Sequence, residues 1–571
     1  MPVNIQDLSL NELVTSPDIV PFVVRTELIT EEYLAENPYV RAGMGLAGGY
    51  QIIYTNRANV GRVKLSFGGA THLIHPPVYG LMGTQALTAS GITQVQQHPV
   101  LNLRGSGVII GFVDTGIDYT QNAFRYEDGT SKIIAIWDQC VQGKPPEDFI
   151  CGAEYSNEQI NEALRSDNPY DILPHEDTVG HGTFLASVAA SRENGQNLGA
   201  APDSEIIVVK LRPARPFSYE YFLIPPTVEE AYSGDDIAMG VQYILEKSRS
   251  LGRPVVICIG LGTNFGSHNG FSVFETYLST VASVRGVAIC VAAGNEGNAG
   301  HHTMGKLERA GDSQDMELRV GTARQDILIS IWNSAIDRIS VSITSPTGEN
   351  IARVPARSGA SVTQRLVLEQ STVSVDYEFP VQRSGEQVTL IRILSATQGI
   401  WRITVHADSI LNGTYHAWLP ISNFIDPNIQ FLSPIPNYTV TVPGSAMGVI
   451  TCGSYNSQTN SLASTGSWGP TRLPSIAPDL TAPGENVSGI YPWGPGAMSG
   501  TSVSTAITTG ACALLMEWGI VQGNEPMSDT SRIRSNLIAG CERDPANEYP
   551  NYQWGFGKLN LMGAFRMLRP L

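Results

Sequence analysis

Met498-Ser499-Gly500-Thr501-Ser502-Val503-Ser504-Thr505-Ala506 is the stretch around which the rest of the chain is organised. A glycine and two hydroxyl residues precede a run of small and apolar residues, Ala506 to Trp518, that reads as a buried helix. Serine and threonine are favoured at helix starts, where free backbone N–H groups make a positive end. A serine held there can act as a nucleophile whose developing oxyanion faces ready-made donors. The same residues also describe an ordinary capped core helix, so their company in the chain has to decide.

A catalytic serine needs a base, and the base needs an orienting carboxylate. Upstream, the run from Val108 to Asp118 reads as an apolar strand that ends in Asp114 and turns on Gly116. Asp177-Thr178-Val179-Gly180-His181-Gly182-Thr183-Phe184 then leads into a small-residue helix, Leu185 to Ser191. Val291-Ala292-Ala293-Gly294-Asn295-Glu296-Gly297 reads as a buried strand that delivers the Asn295 amide. Taken singly, each has a structural explanation: a cap at Asp114, a turn at His181-Gly182, a turn at Asn295-Glu296-Gly297. In the chain order Asp, His, Asn, Ser, each at a strand-to-helix or strand-to-turn junction, they point to acyl transfer.

The sequence here resembles the subtilisin-like serine proteases, the subtilases of S8 type. Asp114-Thr115-Gly116, His181-Gly182-Thr183, Ala292-Ala293-Gly294-Asn295 and Gly500-Thr501-Ser502 carry the resemblance. Gly199-Ala200-Ala201-Pro202, Pro478-Asp479-Leu480-Thr481-Ala482-Pro483-Gly484 and the run Tyr552 to Asn560 agree with it. Phe184 departs from it, because many relatives carry a second histidine there. The resemblance covers residues 85–295 and 440–571. It implies Asp114, His181 and Ser502 as the triad and Asn295 as the oxyanion-hole amide. It further implies that substrate backbone pairs with the edge at Gly260-Leu261-Gly262, and that Ala292-Ala293-Gly294 walls the pocket for the side chain before the scissile bond. No metal or organic cofactor is required; structural calcium is frequent in the family, and no local motif here establishes it.

Composition sets the frame. The 571 residues leave room for three or four units, and 42% apolar content supports a sizeable core. Lys and Arg number 36 against 53 Asp and Glu, a net charge of −17 that argues against nucleic acid or an anionic membrane surface as main partner. Seven cysteines show no metal-binding spacing. Cys258, Cys290 and Cys512 lie in apolar runs as buried thiols, while Cys140 and Cys151 flank a Gly/Pro loop that leaves a disulfide open. The first residues lack the basic and apolar regions of a signal peptide, and no uninterrupted apolar run of about 18 residues suggests a membrane span. The expectation is synthesis in the cytoplasm with no membrane partner, with release by lysis or deposition in a cell-derived compartment left open.

Four segments follow. Residues 1–84 show strands at 18–25, 50–54 and 60–65 and a helix at 31–36, a small α+β unit that resembles a subtilase propeptide. Residues 85–300 alternate strands (107–113, 131–137, 205–211, 254–261, 287–292) with helices (181–191, 235–251), as in a parallel sheet covered on both faces in three layers. A long loop at 212–233 lies, by the resemblance, near the subsites for the acyl half of the substrate. Residues 301–440 change to alternating β-type runs such as Ile327-Leu328-Ile329-Ser330-Ile331-Trp332 and are expected to form an inserted all-β sandwich, jelly-roll-like. The core resumes over 441–571.

This layout resembles the clostridial spore-germination subtilases of Csp type, whose task is to activate a precursor cortex-lytic enzyme by limited proteolysis. In the subtilase pattern the mature chain would begin near Thr84, Gln85 and Ala86, with the freed 1–84 unit retained as an inhibitor. Gly91-Ile92-Thr93-Gln94-Val95 fits that register. Two other classes stand against a protein-cleaving enzyme. One is a pseudoprotease that keeps the fold as a binding scaffold. The other is a carbohydrate- or surface-binding protein led by the β insert, which would need an exposed aromatic face; Trp332 and Trp401 instead fall in core-like strand patterns.

Overall fold

The computed structural model describes residues 4–9, 13, 16, 18–46, 50–66, 85–192, 198–322, 324–359, 361–381, 383–473 and 475–568. They fall in two compact units, Met1–Leu81 and Met82–Leu571. In the first, an antiparallel sheet runs in the order Ile19–Arg25, Tyr50–Asn56, Val40–Leu46. Helix Glu31–Glu36 is capped by Thr30, whose hydroxyl accepts from Tyr33 N at 3.1 Å. Phe22, Val24, Val40, Ile53 and Val63 form its core. The strand expected at 60–65 is instead the helix Val60–Ser66. The tight turn Arg57–Asn59 already winds the backbone, and Val60 and Val63, three apart, share the face that packs on that core.

The second unit is built on a nine-stranded sheet. Its parallel run is Ile450–Asn456, Val287–Ala292, Val255–Ile259, Ile109–Asp114, Glu205–Lys210, Ile133–Asp138, and Leu480–Pro483 pairs alongside Ile450–Asn456. Side chains alternate across it. Ile110, Phe112, Val256, Cys258 and Cys290 pack with helices His181–Ala190 and Thr501–Met516, while Ile109, Val113, Ile257 and Val291 pack with Gly234–Ser250 and Val273–Ala282. Both faces are dry, which is why these strands read as continuous apolar runs. Thr501–Val521 is long and apolar enough to cross a membrane, but its residues Thr501–Met516 are all buried in this core. The loop expected at 212–233 contains the helix Pro216–Phe222, started by Pro216.

Between Asn295 and Ile450 the chain forms two antiparallel sheets, of six and five strands, from His302–Lys306 to Ile429–Phe431. Ile329, Ile331, Val341, Ile391, Trp401, Ile403 and Val405 fill the core between them. At the seam with the main sheet His268 stacks on Trp418 at 4.2 Å and 8°, and His302 and His416 also lie against Trp418, at 4.9 and 5.4 Å. His268 Nδ1 donates to Val440 O at 2.7 Å and His302 Nδ1 to Ile435 O at 3.0 Å. Burial holds the pKa of His268 down to about 4 and of His302 to about 3, and that of His416 well below its ordinary value.

A pH dependence of stability follows, with a definite sign. The unfolded chain protonates these rings below about pH 6.5 while the folded chain does not, so stability held above that pH is lost as pH falls. At pH 5 the loss is about 2 kcal/mol for each of His268 and His302. The unfolding midpoint of the wild type is expected to drop between pH 7 and pH 5, and a His268→Gln/His302→Gln variant to lose less over the same range. Parallel curves for the two proteins contradict this.

Candidate active site

Asp114 ends the fully buried strand Ile109–Asp114, at the carboxyl edge where parallel sheets present their functional groups. Its Oδ1 accepts from Thr115 N at 2.8 Å and from His181 Nδ1 at 2.7 Å. With a carboxylate on that side, Nδ1 carries the proton and Nε2 is the basic nitrogen of the neutral ring. The Asp114 side chain is 2% exposed and that of His181 25%. Burial works against the His181 imidazolium, but the charge and hydrogen bond of Asp114, helped by Asp177 and Glu230, outweigh it and raise the pKa.

His181 opens the helix His181–Ala190 directly after Gly180, whose φ of 82° suits a residue without Cβ. Asp177 fixes that corner. One oxygen accepts from Gly180 N at 2.7 Å and Thr115 Oγ1 at 2.8 Å; the other accepts from Thr183 N at 2.9 Å and Thr183 Oγ1 at 2.6 Å. Gly182 N returns a bond to Thr115 Oγ1 at 2.9 Å. Under the same turn, Ile117 N donates to His175 Nε2 at 3.2 Å, and His175 Nδ1 donates to Asp138 Oδ2 at 2.7 Å, both side chains being fully buried. Sequence reasoning gave no role to these residues. Asp177 carried a usable signal, an Asp-x-x-Gly turn just ahead of a helix; Asp138 and His175 carried none.

Ser502 lies in the first turn of helix Thr501–Met516 and is 8% exposed. Its Oγ donates to Gly260 O at 2.7 Å. Among the described residues no hydrogen bond joins Ser502 Oγ to His181 Nε2. The two residues are nonetheless neighbours: a methyl built on Gly260 would lie 3.2 Å from His181 Cε1 and 3.3 Å from Ser502 Cβ. Rotation about χ1 redirects the hydroxyl, and catalytic hydrogen bonds commonly close only when substrate is bound.

Asn295 Oδ1 accepts from Thr501 N at 3.0 Å and Thr501 Oγ1 at 3.2 Å, which fixes the amide orientation and leaves Nδ2 as a donor beside Gly500. Gly294 N donates to Thr501 Oγ1 at 3.1 Å. The next residue, buried Glu296, accepts from His301 Nδ1 at 2.7 Å and from Ser422 N and Oγ at 2.9 and 2.8 Å, so the inserted sheets brace the Asn295 turn.

Gly260, Leu261 and Gly262 follow strand Val255–Ile259 and lead to Thr263, which bridges to Val442. Ala292 ends Val287–Ala292; Ala293 N donates to Cys452 O at 3.0 Å and Ala293 O accepts from Thr441 N at 2.9 Å. A methyl on either Gly262 or Gly294 would strike the Thr441 side chain, so Thr441, which sequence reasoning passed over, stands between the two stretches. Thr84 lies outside the described residues; Gln85 and Ala86 begin the helix Gln85–Ala89. Cys140 and Cys151 are free thiols and form no disulfide. Among the described residues no group of three His, Cys, Asp or Glu side chains gathers as a cation site would need.

The subtilase family model, peptidase S8, matches residues 105–357 and 428–543. The chain belongs to the subtilase family. The unmatched stretch between those segments falls within the two inserted sheets. Among solved structures this subtilase is similar to the CspB protease of Clostridium perfringens, with 33% identity and a TM-score of 0.76 over 86% of this chain and 100% of that one. It is also similar to the subtilisin-like protease SBT3.5 of Arabidopsis thaliana, 27% identical over 160 residues. That alignment takes in 24% of this chain and 20% of the plant protein, so the chain spans about a fifth of that relative's length.

The raised pKa of His181 predicts the acid limb of activity. A protonated ring cannot accept the serine proton, so kcat/KM for peptide hydrolysis falls as pH drops through that pKa, with a midpoint above the ordinary imidazole value of about 6.5. Glu230→Gln removes one of the charges that raise it and should move the midpoint down at low salt while leaving kcat on the alkaline plateau unchanged. A wild-type midpoint below that ordinary value contradicts the assignment of His181 as a base held up by Asp114.

Proposed function

We propose that this subtilase is a serine endopeptidase working through Asp114, His181 and Ser502. The observation that carries the reading is the 2.7 Å contact of Asp114 Oδ1 with His181 Nδ1, set beside a serine in the first turn of a helix. Ser502 Oγ attacks the scissile carbonyl as His181 Nε2 takes its proton. Asn295 Nδ2 and Ser502 N hold the oxyanion. Collapse of the tetrahedral intermediate breaks the C–N bond, and His181 returns the proton to the leaving amine. Water then hydrolyses the acyl-enzyme by the same steps, with Asp114 stabilising the imidazolium throughout. Substrate backbone lies along Gly260-Leu261-Gly262, and Ala292-Ala293-Gly294 lines the pocket for the residue before the bond, with Thr441 at its base.

The finer reading follows from the likeness to CspB and from the layout. Residues 1–84 act as a propeptide, the two inserted sheets as a jelly-roll-like brace, and the substrate is a protein precursor cut at one place, as a cortex-lytic pro-enzyme is in germination. Self-processing falls at Thr84–Gln85 or Gln85–Ala86, where covalent attachment gives the cleavable segment a very high effective concentration.

Ser502→Ala is expected to abolish peptide hydrolysis and leave the chain intact, while the wild type carries a nick at residues 84–86 by N-terminal sequencing and mass. Asn295→Ala should lower kcat by about 10²–10³-fold, a magnitude borrowed from subtilisin. Normal turnover by Ser502→Ala sinks the catalytic reading; an uncut but fully active wild type sinks the propeptide reading.

A further inference from the structure

Phe184 is where the sequence departs from the subtilase pattern, and the structure gives that residue a task. Its ring is fully buried and lies 4.8 Å from that of Tyr491, which stacks on Trp493 at 5.0 Å and 11°. Tyr491 closes the first strand of the hairpin Val487–Tyr491/Gly494–Met498, Trp493 sits in its turn, and the hairpin runs through Ser499 and Gly500 into Ser502. Glycine backbone lets the rings in. A methyl on Gly489 would lie 2.7 Å from Phe184 Cζ, and one on Gly180 would lie 2.6 Å from Trp493 Cη2. The hairpin turn is held as well, by Gln121 Nε2 donating to Pro492 O at 3.1 Å.

The stack is anchored at one end and open at the other. Trp493 is 67% exposed, yet its plane is set by Tyr491 and its edge rests against Gly180, next to the base. An isolated exposed indole needs no explanation, but one pre-oriented beside a catalytic histidine offers a rigid apolar face at small entropic cost. The acyl half of a substrate is assigned to the Gly260 side, where the carbonyl holds Ser502 Oγ. Trp493 instead borders the Gly180–His181 corner, from which the proton passes to the leaving amine.

We propose that Trp493 is a specificity-determining residue that packs against an apolar or aromatic side chain of the polypeptide substrate on the leaving-group side of the scissile bond. Phe184 acts through Tyr491 as its positioning residue; a histidine at 184 would place a polar ring under the stack. The proposal rests on the triad reading above.

Two substrates with the same acyl half test it. One ends in a p-nitroanilide; the other continues for four residues with Phe or Leu in the first three positions after the bond. Trp493→Ala is expected to lower kcat/KM about tenfold on the extended peptide and less than twofold on the anilide, with Trp493→Phe restoring most of the loss. Phe184→Leu should reproduce the pattern more weakly, with Trp493 fluorescence reporting a loosened indole. Equal losses on both substrates, or none on either, overturn the proposal. Anilide hydrolysis that survives Ser502→Ala would overturn the triad reading instead, so the two failures are told apart.

Discussion

The Asp177 carboxylate lies buried between the turn that follows Asp114 and the helix start that carries His181, and its two oxygens take four hydrogen bonds from both sides. An unpaired buried carboxylate is costly, so each bond it accepts confines Thr115, Gly180 and Thr183 to the positions in which all four can form. Asp114 and His181 sit on different elements 67 residues apart in the chain, and their 2.7 Å contact depends on that confinement. The Asp138–His175 pair works from below in the same sense, holding Ile117 N and with it the far end of the turn. Neither pair needs to touch a substrate to set the geometry in which one reacts.

The inserted sheets enter the site by a similar route. Glu296, adjacent to Asn295, is buried and is satisfied by His301 and Ser422. Arg472 of the core is paired with Glu386 of the insert at 2.7 Å, with both side chains largely buried. These polar seams are specific because leaving either partner alone would strand a charge. The insert is thus coupled to the Asn295 turn by hydrogen bonds as well as by covalent connection.

Much of the core was legible because buried parallel strands are continuous apolar runs. The strands at Val255–Ile259 and Val287–Ala292 and the helix at His181–Ala190 lie where the pattern put them, within a residue or two at their ends. Short amphipathic pieces were not legible. Val60–Ser66 has too few apolar residues to separate a period of 2 from 3.6, and the glycines of Val40–Leu46 hide its alternation. Pro216 did carry the start of a helix and was read only as a loop residue. At the site, Asp114, His181, Asn295 and Ser502 stood out because short motifs end at them. Asp138, His175 and Thr441 did not, since their partners lie far away in the chain and only the folded sheet brings them together. The Ser502 hydroxyl turned to Gly260 O is likewise a fact of rotamer choice, which no spacing encodes.

One measurement bears most directly on the catalytic unit. A fluorophosphonate probe forms a P–O bond with an activated serine and releases fluoride, and peptide mapping by mass spectrometry locates the adduct. In the wild type the label is expected on Ser502, while His181→Ala, folded to the same unfolding midpoint, takes up essentially none. A label on another residue, or undiminished labelling of Ser502 without His181, would contradict the assignment of Asp114, His181 and Ser502 to a single reacting unit.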